Sequence, residues 1–399
     1  MPKYTLLSLL FLILGCSSNV ENREPAAPIT IDIETALTLS DEIKASDFVE
    51  SFEYIPLEFS DKTLIRALRK PQLVGDSLVL VTGFRRLALF NRTSGVYIKD
   101  IGHYGNDPGG YRNTVSDLGF NAENYSVYAK GWKPEYLEYS LESGEIIDKI
   151  IQPSNTNNDD INAEIFVSSS AKLTPNLYIG YQSNLSGNQP NLLMTYNAQG
   201  EIQRFFKNHQ SFAFSGSFSV YSDEGKFHHY NNQVYFKEQF NDTLFLVNKD
   251  TLQAQYIFQL GDKSPPYAKK SELDYDTEVP NYVFLNDLVE TGEGLIFTAS
   301  YRKKQRIGVY HKKRQRVQIS NYDIGNELTL GMVNDIDGFI PFYPTDIQGD
   351  YLIGLTSAED IALWFEQNPD KIASLPPTLQ ALQNIDPEAN PVVMIGKVR

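Results

Sequence analysis

The chain has 399 residues, and its 50 acidic residues against 35 Lys and Arg give a formal net charge of −15, which excludes a large nonspecific nucleic-acid footprint. Apolar residues make up 41% and charged residues 21%, so wholesale disorder and fibrous repeats are also excluded. Aromatic residues reach 12% while Met occurs four times, a bias that favours strands over helices.

The N-terminus has the layout of a bacterial secretion signal. A basic residue precedes an apolar stretch over residues 6–14, which is too short to remain as a membrane-spanning anchor. The stretch ends in Leu-Ile-Leu-Gly-Cys, which resembles a lipobox, whose cysteine is acylated and becomes the first residue of the mature protein. The sequence therefore predicts a signal peptide over residues 1–15 and lipidation of Cys16, with an ordinary secretory signal as the alternative.

Residues 16–28 are predicted to be a tether between the lipid and a folded domain. After the cysteine the stretch reads SSNVENREPAAP, which is polar, rich in Pro and Ala, and without periodicity. Cys16 is the only cysteine, so an intrachain disulfide and a cysteine-based zinc site are excluded. Residues 29–399 are assigned to one domain, because no linker rich in Pro, Gly or Ser divides the repeated part of the chain.

From residue 76 onward the chain repeats a unit of apolar strands separated by short gaps and turns. In residues 76–102, apolar residues alternate through two strands, and a turn then leads into a third. The pattern begins again at 124, 176, 232 and 294, and a sixth, less regular unit begins near 338. The spacings of 48, 52, 56 and 62 residues between the first five starts suit four-stranded propeller blades with variable outer loops.

Two strand-like segments near the chain ends have no hairpin partner of their own. They are FVESFEYIPLEF at 48–59 and NPVVMIGKVR at 390–399. A propeller must close, because an open ring would expose two blade faces. The sequence therefore predicts an all-β, six-bladed β-propeller whose N- and C-terminal strands share the closing blade, with two β-sandwich domains as the alternative. A helix is also predicted at 356–369, with Ser357 as its N-cap.

Several segments together resemble the six-bladed β-propeller lipoproteins that are widespread in Bacteroidetes. They are the lipobox, FEYIPLEFSD at 52–61, IGHYGNDPGGYRN at 101–113, FNDTLFLV at 240–247 and the terminal NPVVMIGKVR. Residues 105–111 depart from the Gly-x-Gly-Pro-Gly-Glu-Tyr loop of that family, since Gly110 stands where an acid is commoner. The resemblance implies a propeller in the cell envelope, and it implies no settled activity and no catalytic residues.

Motifs of common enzyme classes are absent from the sequence. The five histidines form no His-x-x-x-His or His-Glu-x-x-His pair, and the adjacent His228 and His229 would point to opposite faces of a strand. The sequence also lacks a Gly-x-Ser-x-Gly elbow and a Gly-Lys-Ser/Thr phosphate loop. A catalytic pair of carboxylates remains an alternative, because the two carboxylates of a glycosidase can lie far apart in sequence. No cofactor and no metal site are predicted.

Candidate binding residues lie in loops at equivalent positions of different units. The glycine-rich stretch 102–111 is the most distinctive loop, and loops at equivalent positions of successive blades are expected on one face of the ring. Aromatic rings there could stack on a sugar or a side chain, while Arg and Tyr donate to hydroxyl or carboxylate groups. The predicted binding residues are Arg85, His103, Tyr104, Tyr111, Arg112, Trp132 and Tyr301.

Each of these features also has a purely structural interpretation. The glycine-rich loop could be a crossover in which Tyr111 wedges between two blades. Trp132 could plug a gap between blades instead of facing a ligand. The basic residues near Arg85 and Tyr301 could keep a hairpin soluble and protect its edge.

Taken together, these patterns predict a lipid-anchored cell-envelope protein, in the outer membrane, that acts as a non-catalytic scaffold for a glycan, a peptide or an envelope protein. One alternative is a carbohydrate-active enzyme with carboxylates at the channel mouth. Another is a structural subunit of an outer-membrane uptake complex, for which a large apolar patch on one side of the disc would be the sign. Nucleic acid is not an expected partner.

Overall fold

The computed structural model describes residues 27–399 apart from 40–41, 66–70, 76–77, 84, 115–117, 155–164, 215, 217–220, 222–223, 321–327 and 329. The predicted signal peptide, Cys16 and most of the predicted tether lie outside the described residues. In the part of the chain that the structure describes, no helix has the length and apolar character needed to cross a bilayer.

Within these residues the strands form six sheets of four or five strands, the blades of a β-propeller, which confirms the predicted fold. The segment before the first blade contains β1 (Ile29–Asp32), helix α1 (Ile33–Ala36), a 3-10 turn (Ala45–Asp47) and β2 (Val49–Pro56). Blade I contains β3 (Gln72–Val74), β4 (Leu78–Gly83), β5 (Arg86–Asn91) and β6 (Tyr97–Asp100). The crossover to the next blade contains the short parallel pair β7 (His103–Tyr104) and β8 (Gly110–Tyr111).

The remaining blades follow in chain order. Blade II contains β9 (Phe120–Asn121), β10 (Ser126–Lys130), β11 (Glu135–Ser140) and β12 (Ile146–Ile151). Blade III contains β13 (Val167–Thr174), β14 (Leu177–Gln182), β15 (Asn191–Tyr196) and β16 (Ile202–Lys207). Blade IV contains β17 (Gly225–Tyr230), β18 (Gln233–Glu238), β19 (Thr243–Val247) and β20 (Leu252–Gln259). Blade V contains β21 (Phe284–Glu290), β22 (Gly294–Tyr301), β23 (Lys304–His311) and β24 (Arg316–Ile319).

Blade VI closes the ring with strands from both ends of the chain. The C-terminal part supplies β25 (Pro344–Gln348), β26 (Tyr351–Thr356) and β27 (Val392–Val398). Strand β2 pairs antiparallel with β27 as the outermost strand, with Tyr54 opposite Met394. The two end strands that lack hairpin partners in the sequence therefore both lie in the closing blade, as predicted, and they pair with each other there.

A fifth strand on blade IV is not predicted from the sequence. Strand β1 runs parallel to the outer strand β20, with Ile29 opposite Tyr256. Ile31 of β1 is buried, which covers the edge of this blade. The first described strand of the chain thus lies on the perimeter of the ring at blade IV.

Helices occupy the connections between blades IV and V and within blade VI. The 3-10 turns between blades IV and V are Gly261–Lys263, Tyr267–Lys269 and Val279–Asn281. Between β26 and β27 the chain forms α2 (Ala358–Gln367), the 3-10 segment Pro369–Ser374, α3 (Pro377–Gln380) and the 3-10 turn Ala381–Asn384. The Ser357 side chain accepts from the Asp360 amide at 2.9 Å, which confirms the predicted helix and its N-cap.

The core is divided into clusters that lie between neighbouring blades. Successive side chains of a strand point to opposite faces, so each inner strand supplies two interfaces. In β4, Leu80 packs toward blade II, whereas Val79 and Val81 pack toward blade VI. This double burial explains the nearly continuous apolar runs in the sequence.

The topology places one set of connections on a common face of the ring. Neighbouring first strands contact one another, β13 with β17, β17 with β21 and β21 with β25, so the first strands lie innermost. Because strands within a blade are antiparallel, the link from the second to the third strand lies at the same end as the crossover to the next blade. We call this side the loop face.

Candidate functional site

Four exposed side chains from blades I and II meet on the loop face, and we call them the rim cluster: Arg85, Tyr104, Arg112 and Trp132. The Arg85 guanidinium lies 4.5 Å from the centre of the Tyr104 ring. The Tyr104 and Trp132 rings are 6.3 Å apart and inclined by 54°. The Arg112 guanidinium lies 5.9 Å from the Trp132 ring. The order Arg, Tyr, Trp, Arg gives a tilted aromatic platform with a cation at each end.

The glycine-rich loop supports this cluster through close backbone packing. Gly102 has φ +59°, and a Cβ there would lie 2.5 Å from an atom of the Tyr139 ring. A Cβ at Gly110 would lie 2.3 Å from the carbonyl oxygen of Gly105. Glycine at position 110, where the resembling family more often has an acid, therefore suits the tight approach of the two loop strands.

Hydrogen bonds fix the orientation of the aromatic platform. The Trp132 indole Nε1 donates to the carbonyl oxygen of Gly105 at 2.6 Å. The Tyr139 hydroxyl donates to the carbonyl oxygen of Gly109 at 2.9 Å. Trp132 remains 43% exposed and Tyr104 38% exposed, so both rings are accessible to solvent. The two hydrogen bonds to the loop backbone hold the loop in place.

Tyr111 and His103 belong to the same loop but have different surroundings. Tyr111 is buried against Tyr139, edge to face at 5.9 Å, and its hydroxyl donates to the carbonyl oxygen of Arg85 at 3.2 Å. Burial raises the pKa of Tyr111 to about 12. His103 is exposed, and its Nε2 lies 2.7 Å from a carboxylate oxygen of Asp107. This hydrogen bond lowers the pKa of Asp107. Tyr111 thus positions the loop, whereas His103 faces solvent beside the rim cluster.

Tyr301 lies elsewhere on the ring. It ends β22 in blade V, opposite blade II, and the Arg302 guanidinium lies 5.1 Å from its ring. The link there is a two-residue turn, in which Arg302 and Lys303 have φ +53° and +60°. Equivalent positions in the repeat share the loop face, but Tyr301 lies three blade positions around the ring from Trp132, with two blades between them. The structure therefore brings six of the predicted residues together and leaves Tyr301 apart.

A group of buried charges between blades III and IV is not among the residues predicted from sequence. Glu224, Glu238 and Lys270 are each at most 5% exposed. The Lys270 Nζ contacts a carboxylate oxygen of Glu224, and the Tyr181 hydroxyl donates to Glu238 at 3.0 Å. Burial, together with the nearby Glu224, raises the pKa of Glu238 to about 7. The sequence gives only a weak signal for this buried group. Lys237 and Glu238 end an apolar strand, and charged residues at the end of a strand are usually exposed.

This buried pair bears on the enzyme alternative. A carbohydrate-active site needs two carboxylates that face a substrate across an open cleft. Glu224 and Glu238 are instead enclosed between two blades. Among the residues with described positions, no group of three or more His, Cys, Asp or Glu side chains is arranged to hold a metal ion.

Some of the exposed apolar side chains lie on the outer strands of blades I to III. Ile98 on β6 is 44% exposed, Ile147 on β12 is 49% exposed and Phe205 on β16 is 39% exposed. They lie along the perimeter of the ring, whereas the uptake-subunit alternative expects an apolar patch on one side of the disc. That alternative stays a prediction.

The closed ring of sheets with loops gathered on one face defines the protein as a six-bladed β-propeller. The chain belongs to the family described as domain of unknown function DUF4934, whose family model matches residues 28–397. No curated protein matches the chain.

Solved structures share the fold at low sequence identity. A protein from Bacteroides fragilis NCTC 9343 that is named as exported is 15% identical, with a TM-score of 0.64 over 94% of this chain and 100% of that chain. A member of the DUF4221 family from Bacteroides vulgatus ATCC 8482 is 10% identical, with a TM-score of 0.43 over 90% of this chain and 99% of that chain. At this identity, the similarity to the Bacteroides fragilis protein shows the fold alone.

Proposed function

We propose that this protein is a lipid-anchored cell-envelope propeller that binds a ligand, without transforming it, on the loop face of blades I and II. The observation that carries the proposal is the rim cluster, in which exposed groups from two blades converge on one platform. The lipobox-like sequence supports the anchor. The similarity to an exported Bacteroides protein agrees with a location outside the cytoplasm.

The chemistry of the rim cluster favours an acidic glycan over a peptide or a protein partner. Exposed Tyr104 and Trp132 rings offer π-faces on which the C–H face of a sugar can stack. Arg85 and Arg112 flank the rings, and a guanidinium binds a carboxylate through paired N–H donors. The chain has a net charge of −15, but the two arginines beside the exposed rings give this surface a local positive charge, which suits an anionic ligand.

The position of β1 supports an orientation for the anchored protein. The tether leads into β1 on the perimeter of blade IV, which is three blades from blade I. The lipid would then hold one side of the ring near the bilayer while the rim cluster lies on the other side. The outer-membrane location in this proposal is supported by the sequence resemblance alone.

The direct test is calorimetric titration of the purified protein with oligogalacturonate and with its neutral methyl ester. We expect the acid to bind and the ester to bind at least tenfold more weakly, since the ester lacks the charge that the arginines recognise. Trp132→Ala should weaken binding of the acid by about tenfold or more, roughly 1.4 kcal/mol.

Tyr301→Ala is the matched control, because it removes an aromatic residue on the same face but outside the rim cluster. It should leave the affinity unchanged. Equal binding of acid and ester, no binding of either, or equal losses in the Trp132 and Tyr301 variants would contradict the proposal.

A further inference from the structure

We propose that Asp107 is the specificity-determining residue of the rim cluster, where it accepts hydrogen bonds from two adjacent hydroxyl groups of a uronic acid ring. Glycans in which these hydroxyls are esterified are then rejected. The inference rests on the function proposed above, which assigns the arginines and the exposed rings to an acidic glycan. It adds the group that recognises the hydroxyl edge of the same sugar.

Asp107 lies in the glycine-rich loop that also carries Tyr104 and Arg112. Residues 101–113 read IGHYGNDPGGYRN and contain no other acidic residue. The Asp107 side chain is 59% exposed, and the His103 side chain beside it is 52% exposed. The pair therefore faces solvent on the loop that supplies two members of the rim cluster.

Gly105 brings the Asp107 carboxylate close to the aromatic platform. The carbonyl oxygen of Gly105 accepts from the Trp132 indole at 2.6 Å. A Cβ at position 105 would lie 2.3 Å from Asp107 Oδ1, and a Cβ at position 110 would lie 3.1 Å from it, so side chains at these positions would displace the carboxylate. The Asp107 carboxylate and the Trp132 indole are thus within roughly 9 Å of each other, a distance that one or two sugar rings span.

His103 orients this carboxylate and keeps it ionised. The His103 Nε2 lies 2.7 Å from Asp107 Oδ2. This hydrogen bond, and then the Asp107 backbone amide, lower the pKa of Asp107. An ionised carboxylate has about four acceptor positions on its two oxygens, and its hydrogen bonds are stronger than those of a neutral acceptor. Asp107 can therefore accept from His103 and from two ligand hydroxyls together.

The other charged groups around the platform make Asp107 its accessible anionic acceptor. Arg85, Arg112 and the exposed Lys133 are cations. Glu135, the nearest acid along blade II, is largely buried, with 13% of its side chain exposed, and lies 3.8 Å from a lysine of the same blade. The ion pair of Asp107 is with His103, so neither arginine neutralises it. The surface is positive overall and contains one exposed carboxylate.

A uronic acid ring matches this combination of groups. Its carboxylate is attached at C5, and its C2 and C3 hydroxyls lie at the opposite edge of the ring. When the ring stacks on Trp132 with its carboxylate at an arginine, these hydroxyls are directed away from that arginine and can donate to Asp107. Acetylation of the two hydroxyls removes both donors and leaves the net charge of the glycan unchanged.

The test is calorimetric titration of the purified protein with oligogalacturonate and with the same oligosaccharide acetylated at its C2 and C3 hydroxyls. We expect the unacetylated form to bind at least tenfold more tightly. Asp107→Asn retains the shape of the side chain and an oxygen that accepts from His103, but it loses the charge. The preference should fall to threefold or less in this variant. The ratio of the two affinities is the readout, because loss of a negative charge near an anionic ligand affects both forms alike.

Asp274→Asn is the matched control. Asp274 is also exposed on the loop face and accepts a hydrogen bond within its own loop, from the Thr277 hydroxyl at 2.6 Å, but it lies between blades IV and V. This variant should retain the full preference.

Equal binding of the two forms by the unmodified protein overturns this inference and leaves the proposed function intact, whereas binding of neither form overturns both. A retained tenfold preference in Asp107→Asn also overturns the inference, as does a lost preference in Asp274→Asn. Complete loss of binding in Asp107→Asn would show that Asp107 supports the loop instead of selecting the ligand.

Discussion

At the residue scale, two adjacent charges at the end of β18 enter different blade interfaces. Glu238 faces blade III, where Tyr181 donates to it, whereas the Lys237 Nζ lies 6.0 Å from the Phe258 ring of the interface with blade V. The Lys237 Nζ donates to the carbonyl oxygen of Glu238 at 2.6 Å. Burial lowers the pKa of Lys237 to about 8. The pKa of Glu238 is thus raised and the pKa of Lys237 is lowered, and both shifts favour the uncharged form of the group.

These two shifts predict a minimum in stability near pH 7 to 8. Between the ordinary glutamate pKa of 4.5 and about 7, the folded state holds a proton on Glu238 that the unfolded state has lost, so stability falls as pH rises. Between about 8 and the ordinary lysine pKa of 10.5, the unfolded state holds the extra proton on Lys237, so stability rises with pH. Each contribution is on the order of 3 kcal/mol.

Urea unfolding at pH 5, 7.5 and 10 measures both limbs. Glu238→Gln should flatten the limb between pH 5 and 7.5, and Lys237→Met should flatten the limb between 7.5 and 10. A pH profile that is the same in both variants as in the unmodified protein would show that the two groups titrate normally.

At the scale of elements, closure of the ring depends on β27. This strand lies between β26 and β2, and Val392, Val393, Met394 and Ile395 are buried in the interfaces of blade VI with blades V and I. The edge strand β1 differs, because it adds to the outside of a blade that is already complete. The two ends of the described chain thus contribute unequally to the ring.

Deletion of residues 390–399 should lower Tm by more than ten degrees or prevent folding, because it removes two buried faces and leaves β2 without a partner. Thermal unfolding followed by circular dichroism measures the change. Ile29→Asp on β1 is the control and should shift Tm by only a few degrees. A deletion that behaves like the control would show that β27 does not close the ring.

At the scale of the whole molecule, the first described strand β1 and the rim cluster lie on different blades of the ring. The tether joins the domain at blade IV, and the rim cluster lies between blades I and II. An anchor attached through this edge would leave the loop face accessible, as the proposed function requires.

Cys16→Ser should release the protein from the membrane fraction or block cleavage of its signal peptide, because the acyl chains would be lost. Fractionation of cells that express both forms, with immunoblotting, measures the distribution. The released form should still bind oligogalacturonate if the rim cluster is intact. Unchanged membrane partition and unchanged processing would contradict lipidation.

The sequence predicted the fold well because the buried strands of each blade appear in the sequence as local apolar runs. Inner strands such as β4 are buried on both faces, so their residues are apolar at nearly every position. The end strands were recognisable because each lacked a hairpin partner. The short β1 was not, since its partner β20 lies more than 200 residues away and parallel pairing leaves no local pattern.

For the candidate site, the sequence by itself determined which residues are close along the chain, as in the loop that carries Tyr104 and Arg112. Only the tertiary structure decided that the Trp132 ring lies beside Tyr104, because that contact depends on how two blades pack. The separation of Tyr301 from Trp132 already followed from the order of the repeats, since they belong to the fifth and the second unit of a six-unit ring. The burial of Glu238 was likewise decided by packing. It depends on Tyr181 of the neighbouring blade, a residue that is distant in the chain and gives no local sequence signal.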